Sequence, residues 1–182
     1  MQHLTTDTLL DGLDDVRSSP ADGGTVELIV RRPATDEREV LDEGVLDLVE
    51  GLVGDTWRGR SSTKTDDGSA HPDMQITMMN ARAAALVAGD AERGALAGDQ
   101  LYVDLDLSAE NLPPGTRLAL GSAVIEITAM PHTGCAKFGR RFGRDALHFV
   151  NSPVGRALNL RGVNAKVVRA GTVKVGDSIR KI

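Results

Sequence analysis

Hydrophobic and polar positions change period often along this chain, and few stretches hold one pattern for long. Thr5 to Val16 sets Leu9, Leu10, Leu13 and Val16 on one stripe, which predicts a short helix. Ser18 to Gly24 is a turn. Thr25 to Arg32 alternates, with Val26, Leu28 and Val30 on one face, and predicts a strand stopped by Pro33. Glu37 to Leu41 reads as a second short strand, and Asp42 to Glu50 as a helical turn. Gly54 to Asp73 is a polar loop, and loops of that length in compact domains are functional or disordered. Gln75 to Met79 is a strand. Asn80 caps a helix through Ala88, closed by Gly89, and a loop spans Asp90 to Asp99.

The cleanest alternation is Leu101 to Leu107, with Leu101, Val103, Leu105 and Leu107 opposite Tyr102, Asp104 and Asp106. Arg117 to Leu120 and Ala123 to Met130 are strands joined at Gly121-Ser122. Lys137 to Arg144 is interrupted by glycine and stays ambiguous. Asp145 caps a helix through Val150, and Ser152-Pro153 starts another that runs to about Arg161. Ala165 to Arg169, Thr172 to Val175 and Ser178 to Ile182 are the last strands. Many short strands with interspersed helices predict a mostly β fold, a barrel decorated by helices. Residues 1–24 form an N-terminal helical arm and 25–182 the barrel domain.

Composition supports this. Gly is abundant (20) and aromatics scarce (3%), which suits turns and small strands better than a helical bundle. No apolar stretch is long enough to span a bilayer, and Met1 to Pro20 lacks the order of a secretory signal. One cysteine forms no internal disulfide, so a cytoplasmic location is expected. The net charge is −5, yet His132 to Arg169 alone carries +7, leaving −12 on the rest. Such a chain attracts a small anion to one segment and repels polyanions elsewhere. That argues against nucleic acid as a partner, although Phe138, Phe142 and Phe149 all fall in the basic segment, where they either stack bases or anchor helices.

Candidate chemistry centres on Cys135. As a thiolate it is a nucleophile or a soft-metal ligand; as a thiol it is a small buried hydrophobe, and the residues alone leave these open. His132, Lys137, Arg140 and Arg141 are close in sequence. The four histidines (3, 71, 132, 148) have no zinc-site spacing, and His71 lies in the long loop. Phosphate-loop, dinucleotide and nucleophile-elbow motifs are absent from the sequence.

Several segments in order resemble the MOSC domain, the C-terminal domain of molybdenum-cofactor sulfurases that also occurs as small bacterial proteins. They are Gly98-Asp99-Gln100-Leu101, Asn111-Leu112-Pro113-Pro114-Gly115, Leu120 to Thr128, His132-Thr133-Gly134-Cys135 and Gly171 to Asp177. Gly54-Asp55 and Gln75-Ile76 also fall in family-like places, so the resemblance spans roughly 26–182. It implies a pyruvate-kinase-type β-barrel, with Cys135 meeting molybdenum or a transferable sulfur. It implies the molybdenum cofactor (molybdopterin) as the anionic small molecule, held by Lys137, Arg140, Arg141 and Arg144. His132 or His71 would relay a proton. The implied activities are reduction of N-hydroxylated compounds, with a reductase as partner, or delivery of sulfur or cofactor to a partner enzyme. Two positions depart from the family pattern: Trp57 stands where His is usual and Met74 where Arg is usual, and Arg58 or Arg60 is placed to compensate. No pyridoxal-phosphate motif is visible.

Overall fold

The computed structural model describes residues 3–182, apart from the side chains of residues 91 and 92; the first two residues of the expected arm therefore lie outside the described residues. Eleven strands are found among them: β1 (Gly24–Arg31), β2 (Glu39–Leu41), β3 (Glu43–Asp47), β4 (Gly51–Leu52), β5 (Ile76–Asn80), β6 (Leu101–Asp104), β7 (Arg117–Leu120), β8 (Ala123–Ile127), β9 (Val163–Arg169), β10 (Gly171–Lys174) and β11 (Ser178–Lys181). The helices are α1 (Thr6–Asp11), α2 (Leu13–Arg17), α3 (Ala81–Ala88), α4 (Ala136–Phe142), α5 (Arg144–Asn151) and α6 (Pro153–Ala157).

Seven strands close into a barrel in the order β1-β6-β5-β9-β8-β7-β11, because β11 pairs with both β7 and β1. All neighbours run antiparallel except β5 and β6, which are parallel and joined through α3, as a parallel pair requires. A smaller sheet, β10-β3-β4, lies beside the barrel.

The residues divide into two cores. Val26, Ile29, Met78, Leu101, Val103, Leu118, Ile125 and Ala165 fill the barrel interior. Leu9, Leu13, Val30, Met79, Tyr102, Phe138, Phe142 and Phe149 form a second core beneath the helices. Alternation therefore sends residues of β1, β5 and β6 into one core or the other. Tyr102, opposite the aliphatic face of β6, is buried at 1% exposure because helices cover that face. All three phenylalanines are buried, so they anchor helices and are not free to stack on bases.

Local signals explain most boundaries. The Asn80 side chain accepts the Ala83 N–H at 2.9 Å and Gly89 closes α3 in the left-handed conformation. The Ser152 hydroxyl accepts the Gly155 N–H to start α6. Other expectations are corrected. Asp42 to Glu50 holds strand β3, not a helical turn, because Gly44 and Leu46 face inward while the strand pairs with β10. The first helix is broken at Gly12, where an added Cβ would lie 2.3 Å from Leu86. Lys137 to Arg144 resolves as α4, whose Phe138 and Phe142 share one face. Gly143, not Asp145, precedes α5; the Asp145 carboxylate instead accepts the Thr6 N–H at 3.0 Å. Helix α6 stops at Ala157, ahead of Asn159 at φ 47. Strand β6 ends at Asp104, and β8 at Ile127, so seven loop residues precede Cys135. Residues of the Asp90–Asp99 loop form a 3-10 turn, Ala91–Ala97.

Register places the C-terminal end of β1 and the N-terminal ends of β5 and β6 at one rim, and the stagger of β8 against β9 brings the end of β8 to the same level, since Ile127 faces Ala165, which faces Ile76. Gly162, directly before β9, packs against the middle of β5. It sits at φ +105, and a Cβ there would lie 2.3 Å from the Met78 carbonyl oxygen. Gly162→Ala is expected to destabilise the protein by about 2–4 kcal/mol, read as a lower urea midpoint with an unchanged slope. An unmoved midpoint would show that β5 and Gly162 are not in close contact.

Candidate functional site

The rim opens into a cavity of about 460 Å³. Its walls come from the loop after β1, the long loop 54–73, the segment before β6, the loop after β8, and α4.

Arg32 builds the floor. Its guanidinium grips Asp55 through two bonds of 2.7 Å and reaches the Gly98 carbonyl at 2.8 Å. Asp55 also accepts the backbone N–H groups of Arg32 (3.0 Å) and Trp57 (2.8 Å). Both side chains are buried, so the pair joins β1, the long loop and the start of β6 without leaving net charge. Gly98 adopts φ +95, and a Cβ on it would lie 3.3 Å from the Arg38 guanidinium and 3.6 Å from that of Arg141. A side chain here would therefore crowd the cations.

Those cations are in surplus. Asp36 is shared by Arg141 at 2.7 Å and Lys137 at 3.6 Å. Arg38 and Arg60 have no carboxylate within ion-pair distance among the described residues. Arg38 donates to the Glu37 carbonyl, and Arg60 makes two bonds to the Thr56 hydroxyl. Burial, then the charges of Arg141 and Arg32, lowers the Arg38 pKa, which marks a guanidinium short of an anion. Three buried donors, Nε of Arg38, Nε1 of Trp57 and Nε of Arg161, have no hydrogen-bond partner among the described residues. Their residues all line the cavity. Buried donors without partners are costly, and a ligand that accepts from them relieves that cost.

Beside them lies a buried charged cluster. One Asp99 oxygen binds Arg161 at 2.5 Å and the other lies 2.9 Å from His132 Nε2, a contact not aligned as a full hydrogen bond. Arg161 also donates to the Ala97 carbonyl and stacks 5.1 Å from the Phe138 ring. The Tyr102 hydroxyl accepts the N–H groups of Gly98 and Asp99. Burial alone would raise the Asp99 pKa, but Arg161 and His132 outweigh it and hold the carboxyl well below its usual range. Burial, followed by the Arg161 charge, lowers that of His132 against the opposing pull of Asp99. Asp99 is thus ionised and His132 neutral near pH 7.

Cys135 is exposed and lines the cavity. Its backbone is fixed by its neighbour: the Asn151 amide accepts the Gly134 N–H at 3.0 Å and donates to the Gly134 carbonyl at 3.1 Å. A Cβ on Gly134 would lie 2.9 Å from Asn151, Leu147 and Val150, so only glycine lets the loop pack this closely.

A family model of the MOSC domain matches residues 66–180. The chain belongs to the MOSC domain family. Among solved structures, YuaD from Bacillus subtilis aligns with TM-score 0.62 at 20% identity, covering 86% of this chain and 93% of that one. YiiM from Escherichia coli aligns with TM-score 0.57 at 20% identity, covering 87% and 69%. YiiM from Geobacillus stearothermophilus gives TM-score 0.53 at 11% identity, covering 89% and 73%. At these identities the likeness concerns the fold. No curated protein matches the sequence.

Of the residues expected at the site of this MOSC domain, Cys135, His132, His71, Lys137 and Arg141 line the cavity. Arg58, Arg140 and Arg144 are exposed and lie outside its walls; Arg60, two residues after Arg58, lines it. Trp57 and Met74, where the family pattern has His and Arg, both line it too. Sequence reasoning missed Arg32, Arg38 and the role of Asp99. Arg32 sat at a predicted strand end before Pro33, and its partner Asp55 is 23 residues away. The one available signal for Asp99 was its place beside a glycine in a family-like segment.

The neutral His132 gives a pH prediction. Its pKa is lowered in the folded state, so below its ordinary value of about 6.5 the unfolded chain binds more protons, and stability falls as pH drops through that point. The depressed Asp99 contributes stability above its ordinary value of about 3.9, lost at lower pH, so the two windows separate. The melting temperature should fall between about pH 7 and pH 5, and His132→Asn should flatten that limb while keeping the steeper loss at lower pH. An identical limb in the variant would exclude His132 as its source.

Proposed function

We propose that this MOSC domain binds a molybdenum cofactor of the pterin type in the cavity, with Cys135 as the thiolate ligand of the metal. The observation that carries this reading is the convergence on one cavity of an exposed thiol, unneutralised arginines and buried N–H donors without partners. A pterin cofactor carries a phosphate and ring acceptors, and the donor set fits both. Arg38, Arg60, Arg141 and Lys137 would hold the phosphate. Trp57 Nε1 would donate to a ring or oxo acceptor, and Met74 and Phe138 would cover its apolar edge. The bound cofactor supplies two-electron transfer at molybdenum, and reduction of N-hydroxylated compounds is the enzyme reading, with a reductase as partner. Within the protein, Asp99 and Arg161 hold the His132 ring on the wall, where it accepts or passes on a proton.

The exposure of Cys135 favours one second reading, a carrier whose thiolate takes the sulfane sulfur of a donor persulfide, with the donor thiol leaving, and passes it to a partner enzyme.

Protein purified from a cofactor-competent host should hold about one molybdenum per chain, and Cys135→Ser should lose it. Arg38→Gln should weaken cofactor retention about 10- to 100-fold, the worth of a charged hydrogen bond. A carrier shows no metal and a persulfide on Cys135 that mild reductant removes. If wild type and Cys135→Ser match in both metal and labile sulfur, the cavity has another use.

A further inference from the structure

We infer that Asp99 is a positioning residue that fixes His132 as the Nε2–H tautomer, so that Nδ1 faces the cavity as a hydrogen-bond acceptor. This rests on the cavity being the binding site but not on the metal. The argument starts from Asp99, which is wholly buried and held from behind by Arg161 at 2.5 Å. Its other oxygen lies 2.9 Å from His132 Nε2, off the line of a full hydrogen bond, and has no other polar partner among the described residues. A bare Nε2 would set a lone pair against a buried carboxylate, so this nitrogen must carry the proton. The neighbouring charges that face the ring are Asp99, Arg161 and Arg32, and the two arginines disfavour a second proton on it.

Nδ1 is therefore left bare. Among the described residues it takes no hydrogen bond, and unlike Nε2 it is not sealed from solvent. The ring lines the cavity, and Nδ1 is its solvent-accessible nitrogen. In the polar wall Arg38, Arg60, Trp57, Lys137, Arg141 and Arg161 are donors only, and the carboxylate of Asp36 is already taken by Arg141 and Lys137. An acceptor fixed among them selects a ligand with two unlike ends. One end is anionic; the other bears an exchangeable proton on nitrogen, oxygen or sulfur. A fully deprotonated oxyanion satisfies the cations but not His132.

The tautomer can be read directly by long-range proton–nitrogen correlation NMR on the full-length ¹⁵N-labelled protein as purified, with His132 assigned by the peak lost in His132→Asn. At pH 7 the pattern should be that of a neutral ring protonated at Nε2. In Asp99→Asn the amide oxygen should stay on Arg161 and the amide N–H turn to His132. Nε2 must then accept, and the pattern should switch to the Nδ1–H tautomer. If that variant fails to fold, the wild-type spectrum decides alone. A wild-type His132 that is an imidazolium or Nδ1–H at pH 7 overturns the inference, as does a folded Asp99→Asn that keeps the Nε2–H pattern. A protein with the expected tautomer but no molybdenum would sink the cofactor reading and leave this one standing.

Discussion

Closure of the barrel depends on a short seam between its first and last strands, where Gly24 and Thr25 of β1 face Ile179 and Ser178 of β11. On its other side β1 is tightly packed as well: a Cβ on Gly24 would lie 2.1 Å from the Asp104 carbonyl oxygen, so β1 approaches β6 through bare backbone. Backbone bonds from Val26 to Asp177 and from Gly176 to Val26 continue it. A closed ring has no free edge, and it sets the strand ends at fixed positions around a rim. The cavity is built on those ends. Groups far apart in sequence meet there because the ring brings their strands together.

The rim also separates two electrostatic tasks. Arg32 with Asp55, and Arg161 with Asp99, are buried pairs whose charges cancel and whose role is to hold backbone in place. Arg38, Arg60, Arg141 and Lys137 sit nearer the opening, where their charge is only partly matched by Asp36. The basic segment read from the sequence is thus split by the fold. Lys137, Arg141 and Arg161 turn to the cavity, whereas Arg140 on α4, between Lys137 and Arg141 in sequence, and Arg144 at the start of α5 face solvent. Helical periodicity makes that division, and net charge along a segment does not express it.

Much of the architecture was legible. Strands with one buried face announced themselves by alternation, and the caps at Asn80 and Ser152 lie where the side chains predicted them. Strand β3 was not legible because Val45, Leu48 and Val49 are exposed, which blurs its alternation, and its partner β10 lies more than 120 residues away. The site was legible at Cys135 and His132, which carry unusual chemistry in an ordered motif. It was silent at Arg32 and Asp99, whose roles come from partners 23 and 62 residues distant. Arginines and aspartates are common on surfaces, and only the fold shows which of them are buried.

Trp57 has one more consequence. It is the chain's single tryptophan, and it stands in the cavity wall with its ring nitrogen unpartnered. Indole emission responds to its polarity and to nearby quenchers, and here all of it originates at one place. The intrinsic fluorescence of the whole protein is therefore a local signal, free of background from other indoles. Occupancy of the cavity can be followed by light without attaching a dye.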